Sequence, residues 1–186
     1  AVRPKAAAAL KIKRKKGKVL KAPRRFKPSR VTPNLSEHAE EFLRQARMLP
    51  EDINVKRSRC RPYDVPMNKF KRMAYKLIRS TVSSTGGHNT IKNILGYFKV
   101  DHKGPSYIEN EFYWGLLAIN TQRKGDSDED PIGRKLNVQQ IGKISRQLLY
   151  AHRNDVPPAL LIGFLFQIGE PDKLSEKIDT DAREPW

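Results

Sequence analysis

The chain has 186 residues, of which 38% are hydrophobic and 31% are charged, and its formal net charge is +17. The hydrophobic content excludes a chain that is disordered throughout and suffices for one core of modest size. The excess of basic over acidic residues predicts polyanionic partners. No apolar run approaches the roughly 18 residues of a membrane span, so we expect no membrane insertion.

The N-terminal segment holds much of the positive charge. Residues 1–30 carry thirteen Lys or Arg and no Asp or Glu, whereas the remaining chain carries 24 basic and 20 acidic residues. Four prolines within residues 1–33 discourage long helices. We therefore expect residues 1–33 to form an extended basic arm that binds RNA by neutralising phosphates and releasing counterions. The candidate contacts in the arm are Arg3, Lys5, Lys11, Lys13, Arg14, Lys15, Lys16, Lys18, Lys21, Arg24, Arg25, Lys27 and Arg30.

Two other kinds of segment share this composition. A transit peptide is basic, poor in acids and often rich in alanine, and a cluster of lysines resembles a nuclear localisation signal. Residues 1–30 contain eight Lys, five Arg and one Ser. This bias towards lysine favours an RNA-binding tail over a transit peptide.

Two helices are predicted next along the chain. Apolar residues spaced by three and four predict a helix over about 35–49, which Pro50 should end. Residues 50–65 are expected to form a loop, and the pattern resumes in a helix over about 66–82. Here the spacing of the cations places four of them on one face, which predicts a second RNA contact, although a solvated surface is the alternative. The candidate contacts of the loop and helix are Lys56, Arg57, Arg59, Arg61, Lys69, Arg72, Lys76 and Arg79.

Aromatic side chains also lie among these cations and could stack on unpaired bases. Phe70 and Phe98 fall on apolar faces and are expected in the core. Tyr75 is the better candidate for an exposed stacking surface.

Four apolar segments follow. A shorter helix is expected after the Gly86-Gly87 turn, and Ser106 with Glu109 matches a capping box that starts another helix with Ile108 inward. A further helix should open at Asn137, with Val138 inward. Residues 159–168 are apolar all round, which indicates a buried helix, a buried strand or a contact with a partner. Residues 169–186 form an acidic tail.

These elements predict a mainly α fold. We expect a small helical domain at residues 34–168, preceded by the long, basic, extended arm at 1–33 and followed by a short acidic C-terminal extension at 169–186.

Sequence motifs for catalysis or metal binding are lacking. The four histidines show no metal-ligand spacing, and the only cysteine, Cys60, leaves no disulfide or cysteine-based zinc site within these residues. Gly86-Gly87-His88 lacks the ending of a phosphate-binding P-loop. The acidic run 126–130 lacks the glycine and glutamate that a calcium loop requires. We therefore expect a protein that is not an enzyme and has no cofactor and no metal.

The architecture resembles ribosomal proteins of the mitochondrial type. The basic arm at 1–30, the basic run at 56–61 and the basic helix surface at 69–79 carry this resemblance. It implies a structural constituent of a ribosome in the mitochondrial matrix, bound to rRNA and active in translation as part of a ribonucleoprotein. Residues 159–168 and the acidic tail would contact neighbouring ribosomal proteins.

Two alternatives remain open. One is a nucleic-acid-binding or ribosome-assembly factor of the nucleus, nucleolus or cytosol. The other is a supernumerary subunit of an organellar membrane complex, whose arm would lie on anionic lipid.

Overall fold

The computed structural model describes residues 34–55, 60–100, 104–121, 136–169 and 174–180. These residues form seven α-helices and one 3₁₀ helix, with no β-strand among them. In chain order the elements are α1 (Glu37–Arg47), the 3₁₀ helix (Pro62–Asp64), α2 (Pro66–Val82), α3 (Gly87–Tyr97), α4 (Glu111–Thr121), α5 (Val138–Arg153), α6 (Leu161–Ile168) and α7 (Leu174–Asp179). The predicted mainly α fold is confirmed for this part of the chain, while the basic arm lies outside the described residues.

Helices α2 and α4 form the centre of the body. Helix α2 contacts α1, α3, α4, α5 and α6, and α4 also packs against α3 and α5. All eight residues from Phe112 to Ile119 are buried. This stretch contains no charged residue, so α4 can be enclosed on every side without burying an unpaired charge.

The crossing of α2 and α4 depends on a glycine. A Cβ atom at Gly115 would lie 2.7 to 2.9 Å from three side-chain carbons of Ile78, which is itself fully buried. Hydrogen at this position lets the two helices approach closely. The contact presses one side of α2 into the core and leaves its opposite side at the surface.

Capping side chains set the starts of α1 and α5, and the start of α5 is the one that the sequence predicts at Asn137. The Ser36 hydroxyl accepts the backbone N–H of Ala39 at 3.3 Å and begins α1. At α5 the Asn137 side chain accepts the Gln140 backbone N–H at 2.8 Å, and the Gln140 side chain accepts the Asn137 N–H at 3.0 Å. This reciprocal pair is a capping box, and it satisfies two backbone donors that would otherwise lack partners.

The predicted start of α4 is wrong by four residues. Ser106 and Glu109 do pair, since the Ser106 N–H donates to Glu109 Oε2 at 2.8 Å, but they close a turn that precedes the helix. The helix begins at Glu111, where the Asn110 side chain accepts the Tyr113 N–H at 3.0 Å. Because Ile108 lies in the turn, its predicted burial is also wrong, and its side chain is 91% exposed.

A second misplaced residue is Val138, at the first position of α5. It was expected to point inward and is 56% exposed. The helical pattern itself is correct from Ile141 onward, where Ile144, Leu148 and Leu149 are buried. A residue in the first turn has neighbours on only one side along the axis, so the periodic pattern predicts its burial less well.

The apolar run at 159–168 forms a helix rather than a strand, with α6 starting at Leu161. Leu161, Ile162, Phe164 and Ile168 are buried, but Phe166 is 64% exposed. Helix α7, within the predicted acidic extension, packs against α5. Leu174 is buried there, and an Arg153 guanidinium N–H donates to the Ile178 carbonyl oxygen at 3.0 Å.

Candidate nucleic-acid interface

The positive charge of the described body is concentrated in one stretch of the chain. Residues 60–100 carry eight Lys or Arg and a single acid, Asp64. Residues 34–55, by contrast, carry five acids and two arginines. The 3₁₀ helix, α2 and α3 therefore form the basic part of the body, and α1 is acidic.

Three of the cations on α2 form a surface stripe, which we define as Lys69, Arg72 and Lys76. At 3.6 residues per turn they fall within about 60° around the helix axis and span about 10 Å along it. Lys69 and Lys76 are exposed and Arg72 is half-buried. No described acidic side chain forms an ion pair with any of the three. A chain of phosphates would meet three cationic heads with no competing acid on the same face.

The stripe reaches the surface because the opposite side of α2 holds the core. Phe70, Ala74, Leu77 and Ile78 are buried, in a helix that contains no Asp or Glu. Its apolar residues drive the packing, and the cations at the intervening positions are left in water. The long aliphatic stems of Lys and Arg also allow each charge to stand clear of the apolar surface beneath it.

Arg79, the fourth predicted contact on α2, is held by the protein itself. Its guanidinium donates to the Val156 carbonyl oxygen at 2.6 Å and to the Tyr75 hydroxyl at 3.4 Å, and it lies 5.8 Å from the centre of the Tyr75 ring. It is half-buried. Arg79 therefore sits at the edge of the stripe, anchored to the turn between α5 and α6.

The expectation that Tyr75 is exposed is wrong. Its side chain is completely buried, stacks on Phe112 with ring centroids 5.6 Å apart, and donates its hydroxyl to the Val156 carbonyl oxygen at 2.9 Å. Burial raises the pKa of Tyr75 to about 12. Tyr63 and Tyr97, at 39% and 40% exposed, are the tyrosines of the basic part that do reach the surface.

The remaining predicted contacts divide into two groups. Arg61 is exposed just before the 3₁₀ helix. All thirteen cations of the arm, together with Lys56, Arg57 and Arg59, lie outside the described residues.

Sequence reasoning did not single out three other lysines of the basic part. Lys99 is exposed, with a positive φ of 51°, and Lys92 is half-buried on α3. Lys71 lies about 160° around the α2 axis from Lys69. Burial lowers the pKa of the Lys71 amine, so this cation belongs to the inner side of the helix rather than to the stripe. The excess of cations over acids in residues 60–100 is the signal that could have indicated Lys92 and Lys99.

The Gly86-Gly87 turn has a structural explanation. Gly86 adopts a φ of +82°, which L-residues rarely adopt, and a Cβ atom at Gly87 would collide with the Thr81 carbonyl oxygen. Both glycines are needed for the chain to reverse between α2 and α3. This agrees with the expectation of a turn in place of a P-loop.

A partly buried ionisable pair lies apart from the stripe. His152 Nε2 is 3.8 Å from Glu111 Oε1, and the other ring nitrogen, Nδ1, is buried without a hydrogen-bond partner among the described residues. Burial lowers the pKa of His152, the Glu111 carboxylate opposes that shift, and Arg79 adds to it. His152 is therefore neutral at neutral pH and joins α5 to α4 mainly through packing.

Neither a membrane-spanning helix nor a metal-binding group of side chains occurs in the described part of the chain. None of its helices combines the length and hydropathy required to cross a membrane. Nor does it bring three or more His, Cys, Asp or Glu side chains together in a group that could hold a metal ion.

Comparison of the chain with protein-family models, with curated proteins and with solved structures found no match.

Proposed function

We propose that this protein is a structural constituent of a ribosome that binds rRNA through its basic arm and the α2 stripe. The observation that carries the proposal is the stripe itself: Lys69, Arg72 and Lys76 share one face of a helix that contains no acid. Ordinary solvated helix faces mix charges of both signs, whereas a surface for phosphates gains from cations alone.

The body and the stripe would act together as a clamp. The apolar side of α2 fixes the helix in the core through Phe70 and Ile78, so the cations on its outer side approach RNA from a rigid support. The arm would neutralise further phosphates. Single cations contact phosphates rather than base edges, so selectivity would come from the shape of the RNA and from neighbouring proteins.

A contact with neighbouring proteins is proposed for α6. Residues 156–169 contain no charged side chain, and Leu160 and Phe166 are 49% and 64% exposed. Without cations this surface has no means of neutralising phosphate. It suits an apolar surface of another protein, which supports the assignment of α6 to the protein side of the assembly. The mitochondrial location rests on the resemblance to mitochondrial ribosomal proteins.

The stripe is tested by the salt dependence of RNA affinity. The variant Lys69→Gln/Lys76→Gln removes two exposed charges, and Arg47→Gln/Lys143→Gln removes two exposed charges outside the basic part of the body. Fluorescence anisotropy with a labelled rRNA fragment measures the dissociation constant over a range of salt concentrations. We expect the stripe variant to bind roughly fivefold to thirtyfold more weakly, and its slope of log affinity against log salt to fall by roughly 1 to 2.

The control variant separates specific contact from net charge. Both variants lower the net charge by two, so a general electrostatic effect would weaken them equally. A larger effect of the stripe variant supports the proposal. Equal effects, or none, would mean that the stripe is a solvated surface.

A further inference from the structure

A polar cleft opens between α1, the C-terminal end of α2 and the start of α3. Its volume is about 200 Å³, and its walls carry five hydroxyl side chains together with Glu41, Gln45 and His38. Phe42 and Leu77 form an apolar floor, each at most 7% exposed. This cleft has no residue in common with the stripe.

Four of the five hydroxyls of the cleft already donate their protons to backbone carbonyl oxygens. Ser80 and Thr81 both donate to the Leu77 carbonyl oxygen at 2.9 Å, and Ser84 donates to the Thr81 carbonyl oxygen at 2.6 Å. Thr90 donates to the Gly86 carbonyl oxygen at 3.4 Å. A hydroxyl has one proton and two lone pairs, so these four groups present acceptors to a ligand.

Glu41 adds a negative charge to the same cleft. Its carboxylate accepts from the Gln45 amide at 2.6 Å and from Arg44 Nε at 2.8 Å, and a second guanidinium nitrogen of Arg44 lies 2.6 Å from the same Oε2 atom. The Gln45 and Arg44 hydrogen bonds hold the pKa of Glu41 below the usual range. A carboxylate has about four acceptor positions, so about one remains open, on the Oε1 atom that accepts from Gln45. The Gln45 amide donates one of its protons to Glu41 and keeps its oxygen as an acceptor.

The size and lining of the cleft define the ligand chemistry. The volume is below the roughly 300 to 1,000 Å³ of clefts that hold drug-sized molecules. An apolar floor under a rim of acceptors matches an aliphatic chain with a cationic end. None of the residues that line the cleft is Lys or Arg, so phosphate would find no charged partner there.

We propose that this cleft binds an arginine or lysine side chain of a partner protein. The aliphatic stem lies on Phe42 and Leu77, and the cationic head donates to Glu41 and to the hydroxyl oxygens. Two faces of the body would then be complementary to different partners, the stripe to RNA and the cleft to a basic polypeptide. The proposal is independent of RNA binding and holds for any basic partner protein.

Titration of the full chain by nuclear magnetic resonance tests the cleft. The probe is the peptide Ac-Gly-Gly-Arg-Gly-Gly-NH₂, and the same peptide with citrulline in place of arginine removes the charge at nearly constant shape. We expect saturable shifts of the backbone amides around the cleft with the arginine peptide and much weaker binding of the citrulline peptide. Glu41→Gln should weaken the arginine peptide roughly twofold to fivefold, the range of a partly exposed ion pair.

Glu37→Gln provides the matched control. Glu37 is exposed on the same helix and lies outside the cleft, so this variant removes an equal charge and should change binding little. Ser80→Ala is a second test that removes one acceptor at an exposed position, and it should also weaken binding. Circular dichroism confirms that each variant is folded.

Three results would overturn the proposal. The first is equal affinity for the citrulline and arginine peptides. The second is equal weakening by Glu37→Gln and Glu41→Gln, which would indicate a general effect of the acidic helix. The third is a titration with inorganic phosphate that shifts the amides of the cleft while the arginine peptide leaves them unchanged.

Discussion

The Arg79 guanidinium donates a hydrogen bond of 2.6 Å to the Val156 carbonyl oxygen, which lies in the turn between α5 and α6. The same oxygen accepts the buried Tyr75 hydroxyl at 2.9 Å. Asp155, just before this acceptor, has a positive φ of 54°. Two side chains of α2 thus fasten the turn to the central helix.

Replacing Arg79 should affect stability more than RNA affinity. Arg79→Gln removes a hydrogen bond from a charged donor to a carbonyl, and we expect the free energy of unfolding to fall by about 1.5 to 3 kcal/mol. Urea denaturation measures this change. RNA affinity should fall much less than in Lys69→Gln/Lys76→Gln. An Arg79→Gln variant of unchanged stability that binds RNA as weakly as the stripe variant would show that Arg79 contacts RNA.

Tyr75 and Arg79 should be energetically coupled. Tyr75→Phe removes only a hydroxyl, and its cost should be about 1 kcal/mol. Because both residues donate to one oxygen, the double variant should differ from the sum of the single variants by about 0.5 kcal/mol or more. Additive effects in a double-mutant cycle would contradict the shared role.

Replacement of glycine by alanine should have opposite effects at two helical positions, Gly115 in the crossing of α2 and α4 and Gly142 on α5. Gly115→Ala places a methyl group against the buried Ile78 side chain, and we expect a loss of about 1 to 3 kcal/mol. A Cβ atom at Gly142 of α5 meets nothing within 4 Å. Gly142→Ala should therefore stabilise the protein by about 0.4 to 1 kcal/mol through helix propensity and reduced freedom of the unfolded chain. Thermal denaturation compares the two, and stabilisation by Gly115→Ala would contradict the close crossing.

Stability should decrease as the pH falls through the titration range of histidine. Burial holds the pKa of His152 below its ordinary value, and burial together with Lys92 does the same for His88. The unfolded chain therefore binds more protons than the folded one as the pH falls below about 6.5. The free energy of unfolding should fall through this window and level off below the folded pKa values.

A histidine variant tests the assignment of this pH effect. The free energy of unfolding in urea is compared at about pH 7.5 and about pH 5.5, on either side of the ordinary histidine pKa. The loss between these values should be smaller in His152→Gln than in the natural sequence. His38→Gln is the control, because His38 is exposed on α1. An equal loss in His152→Gln and in the natural sequence would exclude His152 as a source.

Removing the arm should separate binding from folding. We expect a variant that lacks residues 1–30 to lose most of its RNA affinity, because thirteen of the 37 Lys and Arg residues are removed. The body should keep its helical circular dichroism signal, since its core is built from residue 39 onward. Loss of that signal would show that the arm is part of the fold.

The helices with a regular amphipathic pattern were the part of the fold that could be predicted from the sequence. The bounds of α2 agree with the prediction at both ends, because Pro66 starts the helix and its apolar face is continuous. At α4 the capping pattern of Ser106 and Glu109 was real but closed a turn. The cap of the helix is Asn110, which accepts the Tyr113 N–H and also donates to the Ser145 hydroxyl at 3.3 Å, a long-range contact that the local pattern does not reveal.

The sequence also predicted only part of the candidate interface. Helical spacing correctly placed Lys69 and Lys76 at the surface. It could not identify the partner of Arg79, since Val156 is 77 residues away in sequence. Tyr75 was misplaced for the same reason, because its burial depends on Phe112 of α4. Long-range contacts decide such cases, and one helix considered alone does not reveal them.

Sedimentation of the natural protein on a sucrose gradient, with and without RNase, is the most direct test of a ribosomal role. The protein would be followed by immunoblot in a native lysate and in a purified mitochondrial fraction. We expect it to migrate with one ribosomal subunit in moderate salt and to move to the top of the gradient after RNase. Sedimentation that is unaffected by RNase and follows a membrane fraction would contradict the proposed function.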